Sequence, residues 1–188
     1  MKQNFIGRKE KNRRDIILKE KTLVWNGKTA EQMHLKIISL PPIEGSTENI
    51  EEKEVKGRDG TLTYSYGYTS SEKPVEADYK GDKPVEIINW LQGSGEVIFG
   101  NRPDRYFKAR INNVIPLEQV IRNQLYNFPI KFRCQPFAYH LAGKKKIIIT
   151  SSGTVITNPG TYKALPLITV YGSSNGTLTI NGSAPLPC

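Results

Sequence analysis

The sequence predicts a mainly β chain: an α+β domain built as a β-sandwich or barrel with one helix and a β-hairpin, followed by a smaller β segment. Three observations predict it. Short runs rich in β-branched and aromatic residues alternate at period two through most of the chain. Turn signals such as Asn26-Gly27, Gly57-Arg58-Asp59-Gly60 and Asn158-Pro159-Gly160 separate those runs. One stretch alone, Gly81 to Gly93, carries a clear helical pattern.

The elements follow in order. Residues 15–27 read as a strand that ends at the Asn26-Gly27 turn, and 33–40 as a strand stopped by Pro41-Pro42. Residues 50–56 alternate and lead through the Gly57–Gly60 turn into a strand where Leu62, Tyr64, Tyr66 and Tyr68 share one face. Val75, Ala77 and Tyr79 alternate in the next strand, 73–80. In the helix Asp82 is the expected N-cap and Pro84 sits in the first turn, where its missing N–H costs nothing. Val85, Ile87, Ile88 and Leu91 form its apolar side, Trp90 packs it on a sheet, and Gly93 ends it as the C′ glycine. Residues 96–100 and 104–115 then form a hairpin around Asn101-Arg102-Pro103-Asp104. Phe107, Ala109 and Ile111 are expected to face inward, leaving Tyr106, Lys108 and Arg110 outside. Residues 124–140 make the last strand of the domain. From Leu141 onward, β-branched runs cut by turn signals predict small antiparallel strands, too few to close a sandwich alone.

This divides the chain into a basic segment at 1–21, a main domain at 22–140 and a partial domain at 141–188. The net charge is +9. Eight Lys and Arg against three acids in residues 1–21 supply +5 of it, so the body is only mildly basic. That segment is the place to look for contact with nucleic acid or an acidic protein face. No run of eighteen apolar residues occurs, so no membrane insertion is expected. Two cysteines, Cys134 and Cys188, cannot build a disulfide framework.

Chemistry is hard to find. His34 and His140 are far apart, and HExxH, GxSxG, P-loop and GxGxxG patterns are missing from the sequence. The glycines of "QGSGEVIFG" follow a helix and precede a strand, the wrong order for cradling phosphate. Nothing in the sequence brings Asp59 and Asp104 together as paired carboxylates. Helix-turn-helix, zinc-finger and basic-helix patterns are missing too. A strand surface with Tyr64, Tyr66, Tyr106 and Arg110 stacks bases only if the tyrosines face outward. The expectation is a non-enzyme that needs no cofactor or metal.

The order of four stretches is informative: "VKGRDGTLTYSYGY", "VEIINWLQGSGEVIFGNRPDRYFKARI", "YNFPIKFRCQPFAYH" and "NPGTYKALPLITVYGSSNGTLTINGS". Together they resemble the distal tail protein (Dit) family of long, non-contractile-tailed phages. The resemblance runs over about residues 22 to 182. It rests on Gly57, Arg58, Asp59 and Gly60; on Trp90, Leu91 and Gly93; on Pro103, Asp104, Arg105, Tyr106 and Arg110; and on Phe132 to Tyr139, with Pro136 and Phe137. The matching residues are the candidate motif and interface positions. Residues 158–172 resemble the start of the family's galectin-like C-terminal domain. The segment stops early relative to that domain, so a truncated galectin-like β-sandwich is expected.

The resemblance implies a homo-oligomer, a hexameric ring at the virion tail tip, assembled in the host cytoplasm. One side meets the tail tube protein and the other the tail-associated hub protein, with receptor-binding or baseplate proteins attached outward. DNA passes through the channel only in transit. Neither catalysis nor a cofactor is implied. Three alternatives stand beside it. A tail-tube or tail-terminator protein also uses a β-barrel with a helix. A host-surface carbohydrate-binding module would need a His/Asn/Arg/Trp cluster, and residues 141–188 hold no His, Arg or Trp. A nucleic-acid-binding protein would use the basic N-terminal segment.

Overall fold

The computed structural model describes residues 21–111, 113–121 and 125–172. The basic segment 1–20 and the run after Gly172 lie outside the described residues. The chain divides into two units, one ending at Ile148 and one beginning at Ile149.

In the first unit the strands are β1 (Leu23–Trp25), β2 (Lys28–Thr29), β3 (Leu35–Ser39), β4 (Glu48–Glu54), β5 (Thr61–Tyr68) and β6 (Ser71–Lys80). The helix α1 (Pro84–Trp90) follows, then β7 (Gly93–Phe99), β8 (Arg105–Ile111), β9 (Glu118–Ile121) and β10 (Leu125–His140). Eight strands make one antiparallel sheet in the order β2-β1-β7-β8-β10-β6-β3, with β9 paired to β10. β4 and β5 form a separate two-stranded sheet. The fold is therefore mainly β, with a curled antiparallel sheet, as the alternation predicts.

The core is the inward row of each strand. Trp25, Val75, Val97, Phe128, Ile130, Phe132 and Cys134 are fully buried. Phe132 is central: its ring meets Trp25 edge-on at 5.3 Å and Phe99 at 5.7 Å. The Trp25 indole Nε1–H donates to the Trp90 carbonyl at 2.9 Å, which ties α1 to β1. The turn signal Asn26-Gly27 becomes a two-residue hairpin turn, with φ of 49° and 81° and Trp25 paired to Lys28.

Prolines sit where strand pairing leaves room. Pro129 is inside β10, between the stretch paired to β9 and the stretch paired to β8. Pro136 lies in a bulge: the β10–β8 register jumps between Cys134 and Ala138, so Gln135, Pro136 and Phe137 leave the ladder. The β4–β5 register shifts between Glu48 and Ile50, leaving an extra residue near Gly67, whose φ is 88°.

Three expectations are corrected. Lys83, not Asp82, is the helix N-cap, and no side chain caps it. The Lys83 N–H donates to the Tyr79 hydroxyl at 3.1 Å, so a tyrosine from β6 satisfies a backbone donor where the helix starts. Leu91 is the C-cap; Gly93, left-handed at φ 86°, comes two residues later and opens β7. The buried helix face is also narrower than its pattern: Ile87 and Leu91 go to the core, while Val85 is 64% exposed.

In the second unit the turn signals form as read. Asn158 Oδ1 accepts from the Gly160 N–H at 2.9 Å, and its Nδ2 donates to the Tyr162 carbonyl. Thr154 Oγ1 donates to the Ser151 carbonyl across Gly153, whose φ is 75°. No strand forms among the described residues 149–172. Leu165, Leu167, Val170 and Tyr171 stand exposed there, because short β-branched runs are stable only against a neighbouring strand and a second layer.

Candidate functional site

The sequence candidates do not converge on one cleft. The structure places them in three locations on the first unit, with Trp90 at the end of α1.

The first location is the tip of the β4–β5 hairpin. Gly57, Arg58, Asp59 and Gly60 are all exposed. Gly57 (φ 83°) and Gly60 (φ 80°) supply the left-handed conformations of the turn, and the Arg58 N–H bonds to the Val55 carbonyl at 3.2 Å.

The second is the β7–β8 corner. The Arg102 N–H bonds to the Phe99 carbonyl, and Asn101 Nδ2 donates to the Pro41 carbonyl, so Pro103 rides a pinned turn. Arg105 grips Asp104 through Nε and Nη2, the latter at 2.6 Å from Oδ2. That hydrogen bond from Arg105 holds the Asp104 carboxyl below its ordinary value. The stability this contributes is present above the ordinary aspartate range and is lost as pH falls through the lowered value. It is small, because the pair is partly in solvent. His140 Nε2 lies 3.6 Å from the same carboxylate.

Next to this corner, Tyr106 departs from expectation. It points to the outer face of the sheet yet is buried, because it stacks on Tyr139 at 5.3 Å. Lys144 Nζ sits 4.1 Å above the Tyr106 ring and pairs with Glu96, and Lys108 Nζ lies 4.9 Å from the Tyr139 ring. These contacts fasten the 3-10 turn Leu141–Lys144 to the sheet. Arg110 remains exposed on the same face.

The third is the β10 bulge at the base of the hairpin. The Ser46 hydroxyl donates to the Pro136 carbonyl. Phe137, pushed out of the ladder, meets Tyr68 edge-on at 5.1 Å. Bulge and hairpin therefore fix each other's direction. Trp90 offers its carbonyl to Trp25, while its own buried indole N–H has no partner among the described residues.

The motifs of the sequence leave out one group, the buried Lys73. Its ammonium lies 3.9 Å from Glu44 and 5.4 Å from the Phe107 ring. The signal was present: Lys73 continues the row of Val75, Ala77 and Tyr79 at period two. Cys134 lies on the facing strand, and burial pushes its thiol up to about 12, with the Lys73 charge acting the other way. Two results follow. Iodoacetamide at pH 8 is expected to leave Cys134 unlabelled in the native chain and to label it in guanidinium, read by peptide mass. Because the folded value is raised, stability linked to this thiol is complete below about pH 8.5, the ordinary thiol value. It declines as pH rises from there through about 12. Native labelling at pH 8 would contradict this placement.

No group of three His, Cys, Asp or Glu residues placed to hold a metal occurs among the described residues. No helix among them is long and apolar enough to cross a membrane. What the sites offer is surface: an exposed hairpin, a pinned charged corner and a strand face bearing Arg110.

Neither family models nor curated protein sequences produce a match to this chain. Among solved structures it is similar to the Dit protein (gp 19.1) of phage SPP1, described as a paradigm of the hub adsorption apparatus in phages infecting Gram-positive bacteria. The identity is 17% and the TM-score 0.51. The similarity covers 63% of this chain and 51% of that one, so the chain spans about half the length of the SPP1 protein. The fold of the described β domain is thus a Dit-like fold.

Proposed function

We infer that the chain is a structural, non-catalytic component of the tail tip of a long-tailed phage. In this reading it forms a hexameric ring that joins the tail tube to the tail-hub protein and leaves a channel for DNA. Receptor-binding or baseplate proteins attach outward, and the ring is assembled in the host cytoplasm before joining the virion. The observation that carries the reading is the likeness of fold to SPP1 Dit, reached independently of the motif order that pointed the same way.

Physical features support it. A ring needs strand edges and exposed arms to meet neighbours, and the sheet order leaves β2 and β3 at its ends while the β4–β5 hairpin stands free of the sheet. A channel that DNA slides through favours modest positive charge over a tight base-reading site. Light scattering on the purified chain tests it: the reading expects a discrete particle of six times the chain mass. A monomer at every concentration would overturn it, and open-ended growth into tubes would favour a tail-tube protein.

A further inference from the structure

Both faces of the β4–β5 hairpin are almost wholly exposed, although an isolated two-stranded sheet is marginal in water. At about 3.4 Å per residue, β5 makes an arm of roughly 24 Å from Tyr68 to Thr61. Its register sorts the side chains. Ile50, Glu52 and Glu54 pair with Ser65, Thr63 and Thr61, and Glu48 joins that face by accepting the Ser65 hydroxyl at 2.5 Å. This face has three glutamates and no cation. The other face has Glu51, Lys53, Leu62, Tyr64 and Tyr66, with the Tyr66 hydroxyl donating to Glu51 at 2.8 Å.

A patch of opposite sign lies on the outer face of the large sheet. Arg110 on β8 stands directly opposite Arg133 on β10, with Lys108 and Lys131 two residues along the same strands. Like charges directly opposite each other destabilise a strand pair. The nearby acids are committed elsewhere: Glu72, opposite Arg133 on β6, pairs with Lys131 at 3.4 Å, and Glu96, opposite Lys108 on β7, pairs with Lys144. Arg133 Nε donates to Ser70 Oγ, and no carboxylate among the described residues pairs with Arg110. A local conflict of this kind is expected where a partner relieves it.

Arm and patch do not meet within one copy: among the described residues no ion pair joins Glu52 or Glu54 to that patch. We propose that the Glu52/Glu54 face of the β4–β5 arm of one copy docks on the Arg110/Arg133 face of the next. The contact is head-to-tail, the kind that generates a ring when its rotation closes. It rests on the ring reading above and names the surfaces that build the ring. The base of the arm is already fixed for this by Tyr68 against Phe137 and by the Thr69 N–H on the Thr47 carbonyl at 2.9 Å.

The test uses the 188-residue chain and three charge variants, Arg110→Glu, Glu52→Lys/Glu54→Lys, and the combination, followed by sedimentation velocity at matched salt. Arg110→Glu puts an acid opposite Arg133, so its melting temperature should hold or rise, which separates lost assembly from lost folding. Each reversal alone is expected to raise the concentration for half-assembly about 100-fold or more, and the combination to recover most of it. Assembly that survives either single reversal, or that the combination does not recover, overturns the arm contact while leaving the ring reading standing. Sensitivity to Glu52→Lys/Glu54→Lys and to removal of residues 1–20, but not to Arg110→Glu, would assign the acidic face to the basic N-terminal segment and overturn the proposal. A wild-type chain that is monomeric throughout overturns the ring reading itself and this contact with it.

Discussion

Replacing Phe132 by alanine is expected to destabilise the chain by about 3–5 kcal/mol, a large share of what a domain of this size has in hand. The ring is fully buried and meets both Trp25 and Phe99 edge-on, so its loss removes apolar burial and leaves a cavity between β1, β7 and β10. Trp25 is held from the other side by its bond to the Trp90 carbonyl, which limits how far it can relax into the gap. A chemical denaturation midpoint measures the effect. Phe132→Leu keeps more of the volume and is expected to lose less. Tyr66→Ala, on the arm at 62% exposure, is expected to leave the midpoint nearly unchanged. Equal losses at Phe132 and Tyr66 would mean that the core is misplaced.

Gly95→Val is expected to cost about 2–4 kcal/mol, although Gly95 has an ordinary φ and sits in a strand that favours valine elsewhere. A Cβ at Gly95 would overlap Oδ1 and Cγ of Asn26. That side chain is not free to swing away: Asn26 Oδ1 accepts the Glu96 N–H at 3.0 Å, and its own N–H bonds to the Glu96 carbonyl at 3.0 Å. The substitution therefore breaks the bond that docks the β1–β2 turn on β7, or pushes β1 off the sheet. Asn26→Gly should restore part of the loss, since it removes the clash and keeps a residue that tolerates φ 49°. A fully stable Gly95→Val would contradict the docking.

Much of the fold was legible in the sequence because burial on one face forces period two. Phe107, Ala109 and Ile111, and Val75, Ala77 and Tyr79, face the core as their alternation says. Turn chemistry was equally readable at Asn26-Gly27 and Asn158-Pro159-Gly160, where local φ or side-chain bonds decide the conformation. The misses come from tertiary partners. The helix starts at Lys83, whose N–H the Tyr79 hydroxyl of β6 accepts, and Tyr139 with Lys144 buries Tyr106 on the outer face. Lys73 is not legible from the sequence because its charge argues for solvent while its position in the row argues for the core; Glu44, on a loop far off in sequence, decides the matter. The candidate site was legible as motifs but not as a place. Only the β4–β5 and β10–β8 registers reveal that the arm has an acidic face and that two arginines oppose each other.

Ring assembly is the decisive property expected of this chain. Electron microscopy of the purified chain, sorted into end-on class averages, tests it most directly. The prediction is closed rings with six-fold symmetry and a central opening. Class averages showing only single subunits, or stacked tubes without closed single rings, would contradict it.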